Sequence, residues 1–488
     1  ASAVVMLSFS FIWGSLAFWA PRAAEEVSSA AVDLMSELKG FPLDALGPAM
    51  PEADRALLGR VLVSEADWLL DHYDVVAGLV HHNKPESNIW NGCLLHRAAR
   101  LIPDAPRRAA YLDKGTRFLL NGISLPADAE SREVIAGRPL AEWHVGANLF
   151  DTLACNHHGY LNIGYLVICL SNLAMLQFSC RAHGWAPPEG LEHHARDLWQ
   201  LVKTCTFPDG RLWRIGGDTR VRYCYCQDYA IPAWLLARDL FGDPDVEALE
   251  HGWLDQLETE AAANPDEAFL SARLARLEAV SPQYYVRLEG DRACTLSMGV
   301  YWHRLRAAAA PAAQASPIPI LTDWADEYHG SLLVRGARRL ASWTWGAAQP
   351  PQGLCLPPDG SDLAEWQGNL GGRIRGLGYF NDATCRPDQH AAFPGGFATC
   401  GRVTVSSHHF VSEGDLPRDV AEIDLACVAL PDDRTLVVLQ RARTTGRVWL
   451  REVKGLFLQV PNDLFNGMAR TYRHAGGAMA LPGCPGEA

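Results

Sequence analysis

The sequence predicts a multidomain chain, helical first and β second: an N-terminal α/α toroid (an incomplete helical barrel) over residues 1–280, then an antiparallel β-sandwich over 281–488. Three observations carry this. The 488 residues, 48% of them hydrophobic and 20% charged, exceed what one ordinary core organises. From about residue 51 to 279 the chain runs in long segments of helical period, such as "ADRALLGRVLVSEADWLLDHYDVVAGLV" and "GLEHHARDLWQLVKTC", with few strand signals. From Tyr284 onward "YYVRLEG", "ACTLSMGVYWHRL", "SLLVRGA", "RLASWTW", "CGRVTVSSHHFV" and "RTLVVLQRA" read as short alternating or β-branched runs between turn residues. Helices followed by strands imply two sequential domains.

Residues 1–20 carry no charge and are long enough for a membrane span or signal core, yet Ser2, Ser8, Ser10, Gly14 and Ser15 dilute them. A packed first segment and a targeting segment are both open readings, and membrane association is open with them. The helices that follow must bury an apolar face each, and a closed ring of helical hairpins does this; a solenoid would need a fixed repeat, which is missing. "AAAAPAAQASPIPI" (307–320) reads as a loop inside the strand half, and the end at "LPGCPGEA" leaves room for a further piece of sheet.

Composition narrows the function. A net charge of −13 with no compensating Lys/Arg run argues against nucleic-acid binding, while leaving room for an anionic substrate held by local Arg. The 13 Cys lack CxxC spacing and read as reduced, buried small hydrophobes. That tilts the compartment toward the cytoplasm, with secreted or periplasmic locations still open. Sixteen Trp suit large cores and sugar-stacking clefts alike. Oligomeric state is not legible.

Two segments concentrate chemistry. In "LACNHHGYLNIGYLV" (153–167), a helix capped by Asn156 would align Cys155, His158, Asn162 and Tyr165 on one face, with His157 on the next stripe. Burying imidazole, amide and phenol on one line is costly unless each finds a partner, and a polar cleft supplies partners. A satisfied core histidine is the plainer reading of any one of these residues. In "FPDGRLWRIGGDTRVRYCYCQDYAIPAW" (207–234), Thr219, Arg220, Arg222, Tyr223, Tyr225, Gln227 and Tyr229 gather phenols beside fixed positive charge, which lowers the cost of using Tyr as a base. An aromatic helix entry with solvated Arg is the competing reading.

"NHHG" followed by "PDGRLWRIGGDTRVRYCY" resembles the toroid-type polysaccharide lyases, the alginate lyase and heparinase II/III-like group. The resemblance implies a helical toroid followed by an antiparallel β domain, and cleavage of a uronic-acid-containing glycan by β-elimination without an organic cofactor. The family's Asn-His step matches Asn156 and His157 and its His-Gly step matches His158 and Gly159, so both histidines are carried over. Its catalytic Tyr falls at Tyr223 or Tyr225, which flank Cys224. Such an enzyme removes the proton alpha to the uronate carboxylate, so the carboxylate must be neutralised; aimed donors are typically worth ~3 kcal/mol each. Asn156, a histidine and Arg220 are of the right type, with Tyr and His for acid and base.

Trp90, Asn91, Trp143, His144, Tyr160, Arg222 and His408 are candidate sugar contacts, although packing at helix starts explains several equally well. In the strand half His329 and the pair His408 and His409 could face the helical half, or be surface groups. No metal is expected in the absence of HExxH and CxxC; relatives sometimes carry a structural zinc in the β domain, which is not predicted here. Two rivals stand beside the lyase. One is a toroid glycoside hydrolase with a carboxylate pair drawn from Asp209, Asp218, Asp228, Asp151 and Glu142. The other is a non-catalytic glycan-binding protein.

Overall fold

The computed structural model describes Ala49 and residues 51–483, apart from 308–315, 365–366, 379, 409–417 and 467–468. The readings of residues 1–20, of His409 and of the chain's end lie outside these residues. A helical region comes first, followed by an antiparallel β region, as the pattern of periods predicts.

The described helices are α1 (Glu52–His72), α2 (Pro85–Leu101), α3 (Arg108–Leu120), the single turn α4 (Leu140–Trp143), α5 (Ile163–His183), α6 (Ala195–Thr204), α7 (Ala230–Leu240), α8 (Val246–Ala262), α9 (Ser271–Val280) and α10 (Pro282–Ala307). α5 is the central element. Its apolar run "YLVICLSNLAML" is continuous rather than striped, so it needs neighbours all round. Residues 163–180 are all buried, and α2 and α7 pack closely against it. By length and composition α5 would pass for a membrane span, but the qualifying stretch is wholly buried inside the protein.

Two expectations fail. The stretch from Tyr284 to Leu305 is not strand but most of α10, and the helical region therefore runs 27 residues past the expected boundary at 280. Among its buried residues Tyr285, Leu288, Arg292, Thr295, Met298 and Trp302 recur at spacings of three and four, a helical stripe that the β-branched and aromatic residues between them obscure. Consequently 307–320 connects α10 to the first strand of the β region instead of lying within that region.

Two short hairpins, β1 (Val134–Ile135) with β2 (Arg138–Pro139) and β3 (Asn156–His157) with β4 (Tyr160–Leu161), interrupt the helices. The β region holds an antiparallel sheet of β5 (Asp323–Asp326), β6 (Ser331–Arg335), β7 (Leu340–Thr344) and β8 (Gln352–Leu356). After β9 (Arg373–Gly376) comes a second four-stranded sheet, β10 (Phe380–Phe393), β11 (Gly396–His408), β12 (Arg418–Ala429) and β13 (Leu436–Thr444). β14 (Leu450–Lys454) pairs with β9, and β15 (Arg470–His474) with β16 (Gly477–Leu481).

β6 and β7 are buried nearly throughout because both faces are covered. Leu333 and Leu340 join the helical core, together with Leu354 and Leu356 of β8. Leu332, Val334, Ala341 and Trp343 instead share a second core with Val403 and Val405 of β11 and Ile423 and Leu425 of β12. The first sheet thus lies between the helices and the second sheet. This layering carries residues of the β region to the two motifs of interest.

Candidate functional site

The first motif does not start a helix at Asn156. Asn156 and His157 pair with Leu161 and Tyr160 across a tight turn in which His158 (φ 59°) and Gly159 (φ 84°) are both left-handed, the backbone that a two-residue hairpin of matched twist demands. The helix cap is Asn162, whose Oδ1 accepts the Tyr165 amide at 3.2 Å. The expected face of Cys155, His158, Asn162 and Tyr165 is therefore replaced by a hairpin that folds His158 back over the first turn of α5.

This places His158 and Tyr165 in contact. The Tyr165 hydroxyl lies 3.2 Å from His158 Nε2 and 2.6 Å from Arg220 Nη2, which is also 3.3 Å from His158 Nε2. A guanidinium only donates, so the phenol oxygen accepts from Arg220 and turns its own proton to His158. The Arg220 guanidinium lies over two phenol rings, 4.9 Å from the Tyr165 centroid and 4.6 Å from that of Tyr225. Its Nη1 is buried without a hydrogen-bond partner among the described residues. A guanidinium N–H left without an acceptor in such a place is costly.

The His157 ring packs on Tyr165 at 3.8 Å between centroids, and its Nδ1 is 3.1 Å from Asn83 Oδ1. The Asn83 amide nitrogen already donates to the Gly78 and Asn148 carbonyls, which fixes its oxygen as an acceptor. Nδ1 of His157 therefore carries the hydrogen, and Nε2 keeps its lone pair. Burial, then the charges of His158, Lys84 and Arg220, lower the His157 pKa to about 3, so the ring is neutral at neutral pH. Burial and Arg220 also lower that of His158. Burial raises the Tyr165 pKa against the pull of Arg220, keeping the phenol protonated.

A pH signature follows. The folded His157 pKa lies below its ordinary value of 6.5, so between 6.5 and 3 the unfolded chain binds the extra proton. Stability should fall across that window on acidification, by at most about 1.4 kcal/mol per pH unit from this group. Denaturant unfolding at about pH 7 and about pH 5 should show a smaller acid loss for His157→Gln than for the wild type. Equal losses would show that the ring is not held neutral.

Asn156 is engaged at both ends: Nδ2 donates to the Val80 carbonyl at 3.0 Å, and Oδ1 faces His329 Nε2 at 3.2 Å. His329 Nδ1 is 2.6 Å from Asp326 Oδ2, and Thr152 donates to the other Asp326 oxygen at 2.7 Å. Asp326 and His329, from the first sheet, are both buried. The β region thus braces the hairpin, and Leu161 N–H to Gly346 O at 2.9 Å adds a backbone tie.

The second motif meets the first through Tyr160, whose hydroxyl is 3.2 Å from Asp218 and 3.4 Å from the Thr219 hydroxyl, with its pKa pushed up to about 12 by burial and then Asp218. Asp218 is clamped by the buried Arg214. Tyr223 and Tyr225 both take positive φ, 56° and 48°. Such strain persists only where surroundings enforce it. Arg292 and Arg273, paired with Asp228 and Glu260, do so by donating to the Tyr223 and Arg222 carbonyls.

The two tyrosines diverge. Tyr225 joins the Arg220–Tyr165 stack, 6.5 Å from Tyr165. Tyr223 is buried against Trp253, below Arg211 and Arg222, and donates to the Ser361 carbonyl at 3.4 Å. None of these Tyr223 partners belongs to the imidazole cluster.

The other sugar-contact candidates stand apart. Trp143 is buried, its Nε1 donating to Ile135 O, which leaves no face for stacking. Trp90 and Asn91 lie on α2, Trp90 packed on the core and Asn91 buried. His144 is half-buried after α4. Arg222 is paired with Asp463 in a buried contact. His408 stacks on Phe380 and bonds Asp382 at 2.6 Å, within the second sheet. Of the rival carboxylates, Asp218 and Asp228 are each locked to Arg, Asp209 bonds Ser361, and Glu142 and Asp151 are exposed. A groove of about 430 Å³ lined by Arg373, Arg375, Asn381 and Gln459 lies in the β region and shares no residue with the cluster.

Sequence reasoning missed Asn83, for which "HHNKPES" offers no signal, and undervalued Tyr165, which stands within the first motif. No protein-family model, curated protein or solved structure matches this chain.

Proposed function

We propose that the protein is a polysaccharide or oligosaccharide lyase that cleaves a uronic-acid-containing glycan by β-elimination, its helices forming an α/α toroid and its two four-stranded sheets a β-sandwich. The observation that carries this reading is the unsatisfied Arg220 Nη1 beside a neutral imidazole and a protonated phenol. Exposed His158, Gly159 and Thr219 bring the cluster to the surface. The sugar carboxylate pairs with Arg220, which stabilises the enolate-like intermediate. His157 Nε2 takes the proton alpha to the carboxylate, the released electron pair forms the new C=C bond, and the C–O bond on the neighbouring carbon breaks. Tyr165 gives its proton to the departing oxygen, and His158 holds that hydroxyl in position. Asn156, braced by His329, keeps the hairpin in register.

Elimination leaves a conjugated double bond next to the carboxylate. Incubation with a panel of uronate polysaccharides should produce ultraviolet absorbance in step with new reducing ends. Reducing ends without absorbance would mean hydrolysis, and neither would favour a glycan-binding role.

A further inference from the structure

Adjacent histidines in regular secondary structure direct their rings apart. His193 and His194 do not, because His194 takes the left-handed backbone (φ 51°, ψ 3°) between the 3-10 turn Glu189–Glu192 and α6. The two rings come to lie 4.0 Å apart at 46°. Their Nε2 atoms converge on one carboxylate, His193 at 3.2 Å from Asp128 Oδ2 and His194 at 2.9 Å from Oδ1. Asp128 belongs to a separate 3-10 turn, Pro126–Glu130; it is 4% exposed, and its Oδ2 also accepts the Leu125 amide. One ligand atom from each of the three residues falls within 4.8 Å of the other two.

We propose that Asp128, His193 and His194 bind a borderline divalent cation, best matched by Zn²⁺, through two imidazole nitrogens and one carboxylate oxygen. Imidazole and carboxylate hold Zn²⁺ at about 2.0–2.2 Å, which in a tetrahedron sets ligand atoms roughly 3.3 Å apart. The 3.2 and 2.9 Å separations, each to a different oxygen of the carboxylate, lie near that spacing, and the three ligand atoms all fall within 4.8 Å of one another. One histidine would satisfy the carboxylate by hydrogen bonding; holding a second in left-handed backbone costs about 1 kcal/mol, which a third metal ligand offsets. Two nitrogen donors disfavour Ca²⁺ and Mg²⁺. His194, whose side chain is 24% exposed, leaves the site open to solvent for a fourth ligand. The cation would clip the Pro126–Glu130 turn to the entry of α6. None of the three residues is used by the proposed elimination, so the two readings stand or fall separately.

The test uses the full chain, stripped with chelator and titrated with Co²⁺ followed by visible spectroscopy. The expected result is a tetrahedral d–d band saturating at one equivalent, displaced by Zn²⁺, and a higher Tm with Zn²⁺ than without. His194→Asn keeps a residue that tolerates left-handed backbone, and should weaken Co²⁺ binding by about tenfold or more, as should His193→Gln and Asp128→Asn. A folded wild type that takes up no Co²⁺, variants of unchanged affinity, or a thiolate-to-cobalt charge-transfer band in place of the imidazole spectrum would each overturn the proposal.

Discussion

Tyr165→Phe should lower turnover of the preferred uronate glycan by about 10²- to 10⁴-fold, the usual worth of a positioned general acid. The hydroxyl it removes is the one 2.6 Å from Arg220 and 3.2 Å from His158. The phenol ring, which stacks on His157 and under Arg220, is retained, so the core should hold and Tm should shift little. Tyr223→Phe is the control. It removes the hydroxyl that lies 3.4 Å from the Ser361 carbonyl, away from the imidazole cluster, and should leave turnover near wild type. Steady-state rates of both variants against one substrate decide the matter. Full activity in Tyr165→Phe would remove the phenol from the chemistry, and a large loss in Tyr223→Phe alone would relocate it.

Arg292→Met should destabilise the fold by about 3–5 kcal/mol, the cost of leaving buried carboxylates without their partner. Arg292 is fully buried, 3.1 Å from Asp228 and 2.5 Å from Glu260, and it also donates to the Tyr223 carbonyl. Glu260 holds Arg273, which donates to the Arg222 carbonyl and the Cys224 thiol. These charges lie beneath the left-handed turns at Tyr223 and Tyr225, so the loss should be felt twice. Denaturant unfolding should show the lower stability, and the residual folded enzyme should show reduced turnover because Tyr225 no longer braces Arg220. A change under about 1 kcal/mol would place this network among neutral ion pairs.

The order of helices and then strands was legible because burial imposes its period on sequence, 3.6 on one side of the chain and 2 on the other. It misled at α10, where Val286, Val300 and the aromatic residues beside the buried stripe imitate a strand. Both chemical motifs were visible as residue types. Their geometry was not. The His158–Gly159 turn and the cap at Asn162 depend on hairpin pairing that a helical run of apolar residues conceals. Asn83 and His329, remote in sequence from His157 and Asn156, reach them only through packing between helices and the first sheet. The choice between Tyr223 and Tyr225 likewise rests on which ring the Arg220 guanidinium covers.

Mass spectrometry of products from the best substrate tests the elimination most directly. The account predicts that every newly formed non-reducing-end uronate is lighter by one water than its saturated counterpart, from the earliest time point. Saturated ends that take up solvent oxygen would contradict it and give the chemistry to a hydrolase.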